Sequence, residues 1–318
     1  LIYGHYDVQP VDPLTLWQTP PFEPTIRDDF LYARGAADDK GQVYVHVKAA
    51  EAYLRTEGRL PVNVKFIVEG EEEIGSANLN AFISHNHELL RADSALISDS
   101  SMLAPGQPAL VYGLRGNCHL LVDITGPAQD LHSGSYGGGV NNPLNALAHL
   151  IARLKDERGH ILIPGFYDRV TPLSLEEREL LSHIPLDEEA WRLEAGAPAL
   201  WGEPEYSLIE RISARPTLDV TGLIGGYTGE GTKTVLPSHA HAKISMRLVP
   251  DQSPAEIVAL FEEYVRAVLP PSVDVRIRVA SLSPAALLDR ESAPMRAAAA
   301  ALEATFHRPP VFMREGGS

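Results

Sequence analysis

One histidine and a series of aspartates and glutamates stand in four short segments of the first hundred residues: Gly4-His5-Tyr6-Asp7, Asp38-Asp39-Lys40-Gly41, Glu71-Glu72-Glu73-Ile74-Gly75 and Ser98-Asp99. An imidazole with spaced carboxylates can hold divalent cations, and a further carboxylate left unligated can take a proton from a water that the cation activates. That is the chemistry of a hydrolytic metal site. His5 and Asp7 are two apart, so on a strand they turn to one face, where one can ligate while the other orients it through the second ring nitrogen. Taken alone, the pair would more simply be a surface histidine beside a solvated aspartate. Asp38 and Asp39 fall where a helix begins, so one can cap it while the other bridges two cations. Three successive glutamates repel one another unless water or a cation neutralises them.

The elements around these segments are what lift them above common surface acidity. Leu1-Ile2-Tyr3 precedes His5, the alternating run Val62 to Val68 precedes the glutamates, and Ala95-Leu96-Ile97 precedes Asp99. Three segments therefore follow strand-like runs, and in open α/β sheets ligands gather beyond the carboxyl ends of strands. A Pro-rich loop (Pro10, Pro13, Pro20, Pro21, Pro24) leads to a helix expected from the Asp38 segment through Leu54. Beyond about residue 117 the pattern changes. Strands are expected at 118–124, 217–224, 240–249 and 273–279, with helices at 143–154 and 254–268, which is the β-α-β-β-α-β order of a ferredoxin-like unit. The acidic, Pro-containing span 156–215 interrupts this unit as an insertion, with helical pieces at 173–181 and 208–212. A helix at 295–306 and an extended piece at 309–313 read as a return to the first domain. The expected division is a catalytic domain at 1–113, a lid and dimerisation domain at 114–281, and the rest of the catalytic domain at 282–318.

Composition sets outer limits. The chain has 318 residues, 44% hydrophobic and 22% charged, as in ordinary globular proteins. Its formal net charge of −15, from 27 basic and 42 acidic side chains, disfavours nucleic acid and anionic membrane surfaces as partners. A single cysteine, Cys118, excludes an intrachain disulfide and a thiolate zinc finger, and its apolar setting suits a buried small hydrophobe. No apolar stretch approaches the ~20 residues that cross a bilayer, and no signal peptide opens the chain, so a cytoplasmic location is expected. The chain opens inside an expected strand and closes just after Gly316-Gly317, as a fragment lacking both natural ends would.

Taken together, GHYDVQP at 4–10, RGAADDKG at 34–41, EGEEEIGS at 69–76, ISD at 97–99, DLHSG at 130–134, KTVLP at 233–237, RLVP at 247–250 and REGGS at 314–318 resemble the dinuclear-zinc metallopeptidase family of carnosinases, nonspecific dipeptidases, aminoacylases and glutamate carboxypeptidases. The wording around His5, the aspartate at 99 and the insertion look most like the carnosinase and dipeptidase branch. The resemblance spans the chain and implies an α/β zinc-exopeptidase fold, a mostly parallel sheet flanked by helices, with an inserted α+β ferredoxin-like lid. It implies two divalent ions, zinc or alternatively manganese. Asp38 would bridge them, His5 and Asp99 would complete one, and Glu73 would serve the other. Asp7 would stand behind His5, and Glu72 would be the general base for the bridging water. The resemblance further implies a homodimer formed through the lid, with His132 steadying the oxyanion of the partner's substrate, Thr234 and Arg247 contacting substrate, and Gly317 and Ser318 receiving its end. The family's last metal ligand is a histidine beyond position 318; neither His307 nor the strand pair His239 and His241 is expected to replace it.

Metal-dependent hydrolysis of dipeptides is the leading expectation. An N-acyl-amino-acid deacylase on the same scaffold is the nearest alternative. A non-catalytic homologue is a third, disfavoured because a binding site has no need of an unligated Glu72 beside Glu73. A magnesium phosphatase is weaker, since magnesium prefers all-oxygen coordination and His5 offers nitrogen.

Overall fold

In a computed structural model that describes residues 1–317, the chain forms two compact units, one ending at Met102 and one beginning at Leu103. The first unit is organised by a parallel sheet of order β2-β1-β3, with β1 at Ile2–His5, β2 at Phe66–Glu69 and β3 at Leu96–Ile97. Register pairs Ile2 with Phe66 and Leu96, and runs on one side from His5 to Glu69. The expected strand over 62–68 is shorter and shifted, because Val62 is exposed and only residues 66–69 pair with β1. Helix α1, Lys40–Glu57, follows the aspartate pair and ends at Gly58, whose φ of 70° gives the left-handed stop that glycine adopts without strain. A short antiparallel hairpin, Thr25–Arg27 with Phe30–Tyr32, follows directly on the Pro-rich loop, where no strand is expected from sequence.

The second unit holds the ferredoxin-like sheet. Its strands are β5 (Gly116–Thr125), β6 (Thr217–Gly225), β7 (His239–Leu248) and β8 (Asp274–Ser283), all antiparallel and ordered β8-β5-β7-β6. Alternate residues of β5, Cys118, Leu120, Val122 and Ile124, are wholly buried against helices α2 (Pro143–Ala152) and α3 (Pro254–Val268), whose Leu147, Leu150, Ile257, Phe261 and Val265 complete the core. Period-2 burial on the strand meeting a period-3.6 stripe on each helix is what fixes this layer. Cys118 is fully buried, as expected, and burial pushes its thiol up to about 12.

The span 156–215 is packed into this unit. Ile161, Ile163 and Phe166 enter the main core, while Leu181, Ile184 and Ala214 form a second cluster with Leu103, Val311 and Met313. Buried Glu203 and Arg215 make a bidentate pair at 2.7 and 2.9 Å, which satisfies both charges where either alone would be costly. The segment expected to return to the first domain pairs with residues 109–114, nearly all of which the expected division places at the end of that domain. Strand β4 (Ala109–Leu114) lies between β9 (Ala286–Leu287) and β10 (Val311–Glu315), and contacts group all three within the second unit. Among the described residues, no helix is long and apolar enough to cross a membrane.

Candidate metal centre

Helix α1 packs against the end of β1 more closely than a side chain on Gly4 would allow. A Cβ there would lie 2.2 Å from Val43 Cγ2 and 2.6 Å from Asp39 Oδ2. The gap lets Asp39 Oδ2 accept the backbone N–H of His5 at 3.2 Å. Asp39 occupies the N-cap position yet makes no side-chain cap bond, so the capping role expected for this pair is not played; its carboxylate is wholly buried and holds the strand end instead. Asp38, joined to it by a cis peptide bond, projects its own carboxylate to 3.0 Å from His5 Nε2.

His5 is completely buried and is the hub of the site. Its Nε2 faces Asp38 Oδ1 at 3.0 Å, Asp99 Oδ2 at 3.5 Å and Glu72 Oε2 at 3.9 Å, while its Nδ1 faces Asp7 Oδ1 at 3.3 Å. Burial pulls the imidazole pKa down, but Asp99, Glu72, Asp38 and Asp39 outweigh it and raise it. Burial raises Glu72, opposed by His5 and reinforced by Asp99, Glu73 and Asp38; burial likewise raises Asp99, with Asp39 and Asp38 adding to it. Asp7 goes the other way: burial would lift it, yet the backbone N–H groups of Glu73, Asp7 and Glu72 hold its carboxyl below the usual range.

The three glutamates part company at a turn of 3-10 helix, Glu72–Ile74, which ends on Gly75 at φ 92°. Glu71 accepts from the Asn78 side-chain amide at 2.9 and 2.8 Å. Both oxygens of Glu73 accept from Gln9, from its backbone at 2.9 Å and its side chain at 2.6 Å. Glu72 alone turns its carboxylate toward His5 and Asp99, and single ligand atoms of His5, Glu72 and Asp99 lie within 4.8 Å of one another. The structure thus brings together His5, Asp7, Asp38, Glu72 and Asp99, and leaves Glu73 beside them on Gln9.

This donor set fits a divalent cation. Both His5 ring nitrogens, Asp7 Oδ1 and Asp39 Oδ1 are buried without a hydrogen-bond partner, a concentration of unmet polar atoms that a folded core otherwise avoids. One imidazole nitrogen aimed at carboxylates with its other nitrogen backed by an aspartate is a ligand arrangement suited to zinc. Sequence reasoning did not single out Gln9, or His46 on α1, whose Nε2 lies 2.7 Å from Ser98 Oγ. Neither belongs to an acidic segment, so only the folded backbone reveals them.

In the second unit, the sequence-selected residues fall into two groups. His132 Nδ1 accepts the Gly134 N–H at 3.0 Å, and its Nε2 lies 3.4 Å from Thr234 Oγ1, through the pairing of Leu131–His132 with Val235–Leu236. Arg247 stands at the far end of β7, in a cavity of about 400 Å³ that Arg115 also lines, and its Nη1 is buried without a partner. Arg115 Nε donates to the Gly316 carbonyl at 2.9 Å, just before exposed Gly317; Ser318 lies outside the described residues. His239 is exposed, and His241 is paired with Asp123 at 2.7 Å, so both remain outside the metal-ligand group found among the described residues.

Comparison with known proteins agrees with this geometry. The chain is 37% identical over 268 residues to rat Beta-Ala-His dipeptidase, covering 84% of this chain and 54% of the rat protein. It thus spans about half the length of that relative. Among solved structures it superposes on a metallo-carboxypeptidase from Sulfolobus solfataricus with a TM-score of 0.91 at 35% identity, over all of this chain and 72% of that one. Human carnosine dipeptidase 1 gives a TM-score of 0.83 at 33% identity, over all of this chain and 68% of that one. The α/β fold is that of these enzymes. The profile of peptidase family M20/M25/M40 matches residues 1–318 throughout, and the chain belongs to that family.

Proposed function

We propose that this chain carries the metal centre and substrate contacts of a metal-dependent dipeptidase. The observation that carries the reading is His5 Nε2, wholly buried and without a hydrogen-bond partner, facing Asp38, Asp99 and Glu72 at 3.0, 3.5 and 3.9 Å. His5, Asp38 and Asp99 would hold one divalent ion, and Asp38 with Glu73 a second; zinc suits the mixed imidazole and carboxylate donors, and manganese shares them. When bound, the ions would polarise the scissile carbonyl and acidify the attacking water.

The chain's own groups supply the rest. Glu72, which burial and its acidic neighbours keep basic, takes the water's proton and can return it to the departing amine as the C–N bond breaks. Asp7, fixed by the Glu73 N–H at 3.0 Å, orients the His5 ring. Gln9 holds Glu73 in place without using all of its lone pairs, so support and ligation are compatible. Arg247, with a free Nη1, suits a substrate carboxylate, with Gly317 and Ser318 at the substrate's end.

A homodimer is part of the proposal. Strand β7 separates the His132–Thr234 pair from Arg247 by its ten residues, roughly 30 Å, far more than a dipeptide spans. One chain cannot offer both groups to one substrate, which supports His132, with Thr234, acting on the partner's substrate as the oxyanion donor. The names of the rat and human relatives favour dipeptides over acylated amino acids. In the full-length protein, chelation should abolish hydrolysis of unmodified dipeptides, zinc or manganese should restore it, and N-acetyl amino acids should show lower kcat/KM. Chelator-insensitive turnover, or a preference for the acylated substrates, would overturn the reading.

A further inference from the structure

Strand β3 supports Asp99 poorly. Its two residues pair with β1 only at Ile2–Leu96 and Tyr3–Ile97, so sheet pairing between them stops before His5 on one side and before Ser98-Asp99 on the other. No hydrogen bond within the sheet fixes the distance between the two side chains that face each other at 3.5 Å. The link comes from α1. Asp39, Val43 and His46 follow the i, i+4, i+7 spacing of one helix face. Asp39 accepts the His5 N–H, Val43 fills the space over Gly4, and His46 Nε2 meets Ser98 Oγ at 2.7 Å. A single rigid face therefore grips both strand ends, one residue away from Asp99 and at the backbone of His5.

We propose that His46 is a positioning residue for Asp99, acting through Ser98 to set the separation of the His5 and Asp99 ligands. The role rests on the reading of His5, Asp38 and Asp99 as a metal site. His46 touches no reacting atom; it acts as the outer partner whose loss loosens a ligand. Loss of such partners lowers metal affinity about 10–100-fold in comparable sites. The neutral ring serves either hydrogen-bond sense, since Ser98 can donate to Nε2 or accept from it.

The test uses zinc alone as the probe, measured by competition with a chromogenic chelator on metal-free full-length protein, with melting of the metal-free form as a folding control. His46→Ala and Ser98→Ala should each weaken zinc binding by about 10–100-fold. The double variant should be no weaker than either single one, since both remove one shared contact. His46→Gln, which can place an amide nitrogen near the Nε2 position, should recover most of the affinity. Asp99→Asn is the control for the metal site itself. If Asp99→Asn weakens zinc binding while Ser98→Ala and His46→Ala leave it at the wild-type value, the positioning role is wrong and the metal site stands. If Asp99→Asn leaves zinc binding unchanged, the metal site is wrong and the positioning role goes with it. Additive losses in the double variant would also overturn the proposal, because they would mean two independent contacts.

Discussion

At the scale of single residues, burial and like charge place His5, Glu72, Asp39 and Asp99 in tension. All four have raised pKa values: burial dominates for the three carboxylates, and acidic neighbours prevail over burial for His5. The sign for stability is the same throughout. A carboxylate with a raised pKa binds more protons folded than unfolded, so the fold loses stability as pH climbs past its ordinary range. A raised histidine contributes stability that is complete below pH 6.5 and is lost as pH rises through its folded value. Metal-free protein should therefore melt at a lower temperature at pH 8 than at pH 6, and Asp99→Asn should reduce that difference. Zinc should reverse it, because protons compete with the metal for the same groups. Calorimetry at the two pH values, with and without zinc, checks this; a metal-free form more stable at pH 8, or a difference untouched by Asp99→Asn, would contradict it. That His5, Glu72 and Asp99 gather was legible in sequence because residue type and position after a strand coincide, and Asp38 stood out as an acidic residue at the start of a helix. Asp39 was misjudged as a potential cap because an acidic residue at a helix start has an ordinary explanation, and only the tight approach at Gly4 reveals that its carboxylate points backward.

At the scale of elements, helix α1 is the part on which the site depends. It begins at the aspartate pair, packs Val43 against Gly4 and reaches Ser98 through His46. Overpacking at such a contact costs about 1–3 kcal/mol, so Gly4→Ala should destabilise the protein by that amount. Val43→Ala in the same chain should recover part of it by removing the nearer of the two clashing groups. Denaturant unfolding of the single and double variants measures both, and an unchanged midpoint for Gly4→Ala would show that α1 is not tightly seated. The helix itself was legible from the Ala-rich run and its length, despite alternating valines that also fit a strand. The ferredoxin-like strands were legible to within a few residues, because one face of each is apolar. Less was visible where pairing decides. Strand β2 keeps only the last part of its alternating run, and the hairpin at 25–32, three residues to a strand just after the Pro-rich loop, is too short to show a pattern. The sequence shows a strand's character, but its extent depends on which partner is hydrogen-bonded to it.

At the scale of the whole molecule, a pairing of distant segments cannot be read from local pattern alone: residues 311–315 choose β4, two hundred positions earlier, as their neighbour. The same scale governs the division of labour proposed for the subunits, with Glu72 acting in one chain and His132 reaching the site of the other. Two full-length variants test it together. Glu72→Gln alone should bind metal as the wild type does and lose turnover of a dipeptide by about 10²–10⁴-fold, the usual contribution of a general base. His132→Ala alone should also bind metal normally and turn over slowly. Dissociated and reassociated in equal amounts, the two should regain about a quarter of wild-type activity, since about half of the dimers are then hybrids with one complete site. Wild-type turnover by Glu72→Gln alone, or a mixture no more active than its parts, would contradict the account.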